Sequence, residues 1–495
     1  MPLISLICLN LAAVIQIKQF IMKIFASLLL LCLLQTAANA ATWHVGPLRT
    51  YTFCSQVAPL VQNGDTILID AATYVNDPQV KWSKNNLLIK GIGGRPVLQA
   101  GSIIANDMVN GKGIFVISGA NVTVENIEFA NAAVVDHNGA GIRQEGPNLF
   151  VRYCKFTGNE MGILCGNIPN CKTVVEYTEF VNGGSTLNPG YQHNIYINHI
   201  DTLVFRYNFT HDAIAEGHEL KSRANYNFIL YNRISNEQTV DSRTIDLPNG
   251  GTALIVGNII EQGPNSANSN LLGYGLEGLT NAARHNLWIS GNTFVNKKTT
   301  GSFINIAGGT DTLFVKNNIL AGAKTGGLIL GTAMVLDSSN NLVDNSVAAI
   351  GFVSASNYNY HLLPASAAVN AGIAINKNIN GYALQPSRIY KDTCDVESRP
   401  TDNAIDIGAF EYASPSAVKE TPGTMVHIFP NPTSDIVNID AKEDIIKEVK
   451  VSDLAGRLLL TSATGNFSMA GFVDGVYVVV IRTDKTTYSA RIVKQ

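Results

Sequence analysis

Four stretches decide the fold when set one beneath another. They are NFILYNRI (Asn227 to Ile234), ALIVGNII (Ala253 to Ile260), LWISGNTF (Leu287 to Phe294) and LFVKNNIL (Leu313 to Leu320). Each is short and apolar, and each carries an asparagine two places before its last residue: Asn232, Asn258, Asn292 and Asn318. VTVENIEF, LFVRYCKF, TVVEYTEF and LVFRYNF extend the series upstream, ending at Phe129, Phe156, Phe180 and Phe209. A loose period in the twenties, built from strand-length runs with no helical spacing between them, is what a parallel β-solenoid requires. A buried amide needs partners, and asparagines stacked from rung to rung supply both donor and acceptor to one another. The reading is an all-β chain: a parallel β-helix with these asparagines in one inward column. Right-handed winding is expected from the general hand of parallel crossovers. The rungs become legible near Val122.

Outward from the repeats, Thr52 to Tyr74 reads as a short amphipathic helix (Val57, Leu60, Val61) and then a strand. Such a helix suits the end of a solenoid, whose first rung otherwise exposes an apolar cross-section. Residues 1–40 read as an upstream extension and a signal peptide. Met22-Lys23 starts it, Ile24 to Leu34 is apolar, and Ala38-Asn39-Ala40 is a small-x-small cleavage site. Met22 is the expected true start and Ala41 the expected mature one. No later segment is long and apolar enough for a transmembrane helix. Five cysteines follow the cleavage site, and Cys165 and Cys171 flank a turn and are positioned to pair. None has C-x-x-C spacing, which argues against zinc.

Residues 41–412 are therefore assigned to the β-helix and residues 413–424, polar and Pro-bearing, to a linker. Residues 425–495 alternate in strand fashion and are expected to form a small β-sandwich. Net charge is −3 with 15% charged residues, which excludes a general basic field for nucleic acid but not a local basic groove. A monomer is expected.

The densest cluster of titratable groups before the tail is His211, Asp212, Glu216, His218, Glu219, Lys221 and Arg223. On an extended strand Glu219, Lys221 and Arg223 fall on one face, expected to be the outside. Lys221 beside Arg223 has the pattern of a lysine base next to a second cation. His193 stands at the start of a rung two before that of Asp246, which makes a lateral row conceivable. Inserted residues between Ile260 and Phe294 are expected to project as a loop carrying Tyr274 and Glu277. A glycoside hydrolase would need two carboxylates flanking the bond, and Asp212, Glu216, Asp246 and Glu277 are candidates without a pair motif. The plain alternative is a solvated salt-bridge ladder on a carbohydrate-binding or structural surface protein.

Three resemblances add to this reading. EGHELKS (Glu216 to Ser222) with the TIDLPNGG rung resembles the centre of polysaccharide lyase family 6, a pectate-lyase-like β-helix family that includes alginate lyases and chondroitinase B. It implies β-elimination on an acidic polysaccharide. Carried over, Lys221 would be the base and Glu216 a calcium ligand, with Arg223 or Arg243 standing in for the family's acid arginine. Beside the resemblance, His193 is a candidate catalytic residue, His218, Arg243 and Tyr274 are candidate substrate contacts, and Asp246 is a second candidate ligand for calcium. Where the family has an arginine after the leucine of L-R-H-G, this chain has Leu247-Pro248-Asn249-Gly250. SRPTDNAIDIGAFEY, with Arg399, Asp406 and Glu411, resembles the closing segment of choice-of-anchor Q β-helix proteins and implies a C-terminal end cap. Pro430-Asn431-Pro432, the turn from Asp453 to Arg457, and Gly475-Val476-Tyr477 resemble the type IX secretion C-terminal sorting domain. That implies the type IX machinery as a partner and a place outside the cell or on its outer surface.

Overall fold

The asparagine column exists and is longer than the four residues read from the sequence. In the computed structural model Asn208, Asn232, Asn258, Asn292, Asn318 and Asn341 form one ladder, each Nδ2 donating to the Oδ1 of the next at 2.9–3.2 Å. Each oxygen accepts a second bond, from the backbone N–H of the preceding asparagine, at 2.9–3.0 Å. The second amide hydrogen goes to a backbone carbonyl, as from Asn258 to Ile229 at 2.8 Å. No amide in the middle of the column is left unpaired, which makes its burial tolerable. The residue before each asparagine is left-handed: Tyr207 (φ 63°), Tyr231 (55°), Gly257 (69°), Gly291 (60°), Asn317 (56°) and Asn340 (54°). This pair of residues turns the corner between two sheets. Glycine is required at Gly291, where a Cβ would lie 2.3 Å from Pro386 Cγ.

The structure describes residues 17–24, 40–101, 112–282, 284–400, 404–412, 426–441, 444–454, 456–485 and 487–495. The chain forms two compact units, Met1–Tyr412 and Ala413–Gln495. In the first, each turn gives strands to three parallel sheets. A twelve-stranded sheet runs from Thr42–Val45 to Ala333–Ser339, an eleven-stranded one from Thr73–Val75 to Leu342–Asp344, and a ten-stranded one from Val80–Trp82 to Ile329–Leu330. The result is a parallel β-solenoid of about 11 turns. Its interior is almost wholly aliphatic and aromatic, with Phe129, Phe156 and Phe180 stacked at 5.1 and 4.7 Å between ring centroids.

The first strand of the coil, Thr42–Val45, pairs with Thr66–Asp70. Several expectations are corrected. The helix expected after Thr52 is a single turn, Cys54–Val57, with Val57 and Val61 buried and Leu60 exposed. Phe209 is not the inward residue of its rung. Thr210 pairs with Phe180 and Ile234, while Phe209 faces outward into a separate apolar cluster. Cys165 and Cys171 are both free and buried. Cys171 Sγ instead accepts from Gln144 Nε2 and the Asn148 N–H, at 3.3 and 3.4 Å.

Residues 352–400 and 404–412 lie along the side of the solenoid rather than over its end. Ile407, Ala409 and Phe410 pack on the outward Ile259, Val295, Ile319 and Ala321 of the eleven-stranded sheet. Ile375 and Leu384 pack on Phe228, Leu254 and Trp288 of the twelve-stranded sheet. Buried Arg399 ties this clasp together, pairing with Glu411 at 2.6 Å and donating to the carbonyls of Asp406, Gly408 and Phe410. The end strand Ala333–Ser339 accordingly leaves Met334, Val335 and Leu336 exposed.

The second unit has a three-stranded and a four-stranded antiparallel sheet around Val437, Val449, Val451, Tyr477, Val479 and Ile481. The expected leader lies outside the described residues, apart from 17–24, which are helical, and Ala40. No helix among the described residues is long and apolar enough to cross a membrane.

Candidate functional site

The ten-stranded sheet carries the site. Its strands Ile195–Ile197, Leu220–Ser222, Ile245–Leu247 and Asn270–Tyr274 place Tyr196, Lys221, Asp246 and Gly273 in direct register. Alternation sends the flanking Ile195, Leu220, Ile245 and Leu272 into the core and these four residues outward. Neighbouring strands are about 4.8 Å apart, so the four form a close column along the solenoid axis. Gly273 keeps the floor low beside Asp246, and Arg243 crosses it: a Cβ there would lie 2.9 Å from Arg243 Cδ and from Asp246 Oδ1.

A second row stands at the corner just before these strands. His193 and His218 stack at 4.8 Å between ring centroids, and Arg243 follows at the same interval along the chain. His193 Nδ1 accepts from the His218 N–H at 3.0 Å, and His218 Nδ1 accepts from the Arg243 N–H at 3.1 Å. An acceptor Nδ1 places the proton of each neutral ring on Nε2. Burial drives His193 well below the usual imidazole range, helped by the charges of His218, Lys221 and Arg223. Burial likewise brings His218 down to about 4, against the pull of Asp246. Both rings are therefore neutral, with their lone pairs committed to the backbone. Each ring's lone pair serves the wall, so neither histidine is placed as a proton acceptor.

The charged groups meet above this floor. Asp246 lies 3.4 Å from Lys221 Nζ, 3.4 Å from Arg243 NH1 and 3.6 Å from His218 Nε2. Arg243 Nε also donates to Asn270 Oδ1 at 2.6 Å. Arg223 extends over the Tyr196 ring and donates Nε to Tyr196 Oη at 2.9 Å and NH1 to Asn249 Oδ1 at 2.5 Å. Its NH2 reaches Glu277 Oε2 at 2.6 Å, and Lys221 Nζ reaches Glu277 Oε1 at 2.9 Å. Burial pushes the Glu277 carboxyl up, but the hydrogen bonds from Lys221 and Arg223 outweigh it and hold it below its usual range.

Of the residues named from the sequence, Lys221, Arg223, His193, His218, Arg243 and Asp246 come together. Two do not. Tyr274 is not on a projecting loop: it lies in a strand, parity turns it inward, it is fully buried, and its hydroxyl donates to the Gly251 carbonyl. Glu216 sits exposed on the turn before His218, and among the described residues its carboxylate makes no hydrogen bond or ion pair. Glu219 is also not outward. It precedes its strand, where alternation no longer dictates the side, and turns into the interior to accept from Asn194 Nδ2 at 2.5 Å and the Ala213 N–H at 2.8 Å. Burial and the neighbouring Asp241 push its carboxyl well up.

Sequence reasoning missed Tyr196 and Asn249 and left Glu277 as one of four candidate hydrolase carboxylates on a projecting loop. The signal for Tyr196 was available: Tyr196, Lys221 and Asp246 recur at the interval that also relates His193, His218 and Arg243. The insertion contributes both the strand Asn270–Tyr274 and a loop that folds back over the earlier rungs. Asn281 Nδ2 donates to the Ala224 and Gly250 carbonyls at 3.0 and 2.8 Å, bringing Glu277 to the site.

Calcium would need shared oxygen ligands. Asp246 is ringed by Lys221, Arg243 and His218, and Glu216 does not join it. Among the described residues no group of three or more His, Cys, Asp or Glu side chains is arranged to hold a metal. The residues of this wall do not fit the implied ion.

Comparison with known proteins settles the tail. Residues 427–495 match the family described as the secretion system C-terminal sorting domain. This is an exported β-helix protein. The sorting tail implies secretion or attachment at the cell surface by the type IX route. No curated protein matches the chain. Among solved structures a similar chain is "Geobacillus virus E2 - ORF18", at 13% identity and TM-score 0.28 over 58% of this chain. The match spans 52% of that protein's length, and at such a TM-score the likeness carries no argument.

Proposed function

We propose that the wall around Lys221 binds an acidic polysaccharide and cleaves it by β-elimination at a uronate residue. One observation carries the reading: three cations and a tyrosine converge on an outward column of the sheet face that, among the described residues, the clasp's apolar clusters leave uncovered. A rigid parallel wall suits an extended polymer, and export places the protein where such polymers occur.

The steps follow from the side chains. Arg223 and Arg243 neutralise the uronate carboxylate, which favours the enolate-like charge formed when the α-proton leaves. Lys221 Nζ takes that proton; the C–C double bond forms and the bond to the leaving oxygen breaks. Tyr196 Oη already accepts from Arg223, so its own hydrogen is available for the leaving oxygen. The arginines take the neutralising role that the resemblance gives to calcium, and no step is assigned to that ion. A hydrolase fits less well, because it needs one protonated carboxyl and Glu277 is held ionised.

The test is absorbance near 235 nm, where new unsaturated ends absorb, on a panel of uronate polymers. Lys221→Ala and Tyr196→Phe are each expected to lower turnover by a factor of about 100 to 10,000, the usual weight of a general base or acid. Cleavage by the native protein that both variants retain removes the assignment. No cleavage, with binding that depends on Lys221, leaves the second reading, a non-catalytic carbohydrate-binding surface. That reading is favoured by the way Lys221 is flanked by two carboxylates.

A further inference from the structure

Arg223 and Lys221 are mostly covered, with 16% and 12% of their side chains exposed, yet their shared partner Glu277 is 47% exposed. Three of Arg223's donors are committed. Nε and NH1 go to Tyr196 and Asn249, which belong to the wall, and NH2 goes to Glu277. Lys221 Nζ is divided in the same way between Asp246, in the wall, and Glu277. One carboxylate therefore spans the two cations from the solvent side, as a bound acid group would. Its backbone is fixed: the Glu277 N–H donates to the Pro248 carbonyl at 3.0 Å, and Gly275 and Gly278 close a turn at 2.9 Å. Only the side chain is free to leave, and a half-exposed side chain changes rotamer on a scale of nanoseconds or less.

We infer that Glu277 is a displaceable internal carboxylate that occupies the position of a substrate carboxylate, so that it screens the site against weakly charged sugars and yields to a polyuronate. This rests on the acidic-polysaccharide reading above. A neutral sugar cannot replace the ion pairs it would break, whereas a uronate carboxylate re-forms the pair with Arg223 as Glu277 swings out, which also releases Lys221 Nζ toward the α-proton. Selectivity then comes from the cost of evicting an existing partner as well as from new contacts. Exposed ion pairs are worth about 0.2–1 kcal/mol each, so removing two competing ones should raise acid-oligomer affinity roughly 2- to 30-fold.

The experiment is calorimetric titration of the full-length protein with hexamers of galacturonate, mannuronate and guluronate, and with the neutral methyl ester of the first. Native protein, Glu277→Gln and Lys221→Ala are compared. Glu277→Gln is expected to bind the acid hexamers several-fold more tightly and also to gain affinity for the ester, narrowing the difference between the two. Binding to Glu277→Gln alone, with none to native protein, would also support the inference. Equal acid affinity in native protein and Glu277→Gln, both weakened by Lys221→Ala, overturns the inference and leaves the acidic-polysaccharide reading intact. Weaker acid binding by Glu277→Gln makes Glu277 a sugar contact and overturns it too. Absence of binding by every form overturns the underlying reading itself.

Discussion

Two columns run along this solenoid at the same repeat and are built on opposite principles. The inward one, from Asn208 to Asn341, repeats one residue type, and each member satisfies the next. The outward one reads Tyr196, Lys221, Asp246, Gly273 and Asn305, five different residues in direct register. The first column is complete in itself. The second needs side support, and receives it from the His193–His218–Arg243 row, from Asn249 and Asn270, and from Glu277 on the folded-back loop. A repeat that stacks identical residues holds the fold, and one that stacks different residues on the same period brings different chemistry within reach of one ligand.

The largest expected effect breaks the first column. Asn258→Ala removes an oxygen that accepts from Asn232 N–H and Nδ2, and an amide that donates to Ile229 O and Asn292 Oδ1, all at 2.8–2.9 Å. Each buried group left without a partner costs about 1–3 kcal/mol. Denaturant unfolding should show a loss of several such increments. A loss no larger than that of an exposed substitution would mean that water enters the corner and the ladder is not self-sufficient.

The same contrast explains what the sequence revealed. Identical asparagines are visible by inspection, so the solenoid, its inward column and the sorting tail were legible. The site was half legible. Lys221, Arg223, His193, His218, Arg243 and Asp246 were named, but their companions were not, because an outward column has no shared residue type to align. Parity errors did the rest. Counting from the asparagine of the rung puts Thr210 inward, whereas counting from the last apolar residue chose Phe209. Tyr274 was placed on a loop because an insertion hid a strand. Glu219 was placed outside because strand alternation was extended past the start of the strand. The clasp could not be read at all: Arg399 and Glu411 announce a motif, but only the apolar outer faces of two sheets say where it lies.

A medium effect is expected beneath the wall, where Glu219 and Asp241 are two fully buried carboxyls that influence each other. Burial lifts Asp241 from 3.8 to about 8, with Asp212 adding to the rise and Ser266 and Lys298 opposing it. A raised carboxyl means that the folded chain keeps a proton the unfolded chain has lost. Stability therefore falls as pH rises from about 4 to about 8, because the unfolded state binds fewer protons in that window. His218 acts with the opposite sign at the acid end. Its folded value near 4 lies below the ordinary 6.5, so stability falls as pH drops through that interval. Asp241→Asn should raise the melting temperature relative to the native chain by more at pH 8 than at pH 5. An equal difference at both pH values would show that Asp241 ionises freely in the folded state.

The smallest expected effect separates this wall from a calcium-dependent one. Glu216, given a ligand role by resemblance, is an exposed turn residue whose carboxylate makes no hydrogen bond or ion pair among the described residues. Surface substitutions away from specific contacts change stability by about 0.5 kcal/mol or less. Glu216→Gln should therefore leave both melting temperature and uronate binding unchanged, and chelation with EGTA should alter neither. The cations Arg223 and Arg243 already supply the positive charge that an ion would bring, and they are held by Asp246, Asn249, Asn270 and Tyr196 whether or not metal is present. If EGTA abolished uronate binding and Glu216→Gln weakened calcium-dependent recovery, the outward column would be incomplete as drawn. The turn carrying Glu216 would then have to close onto the wall to finish the site.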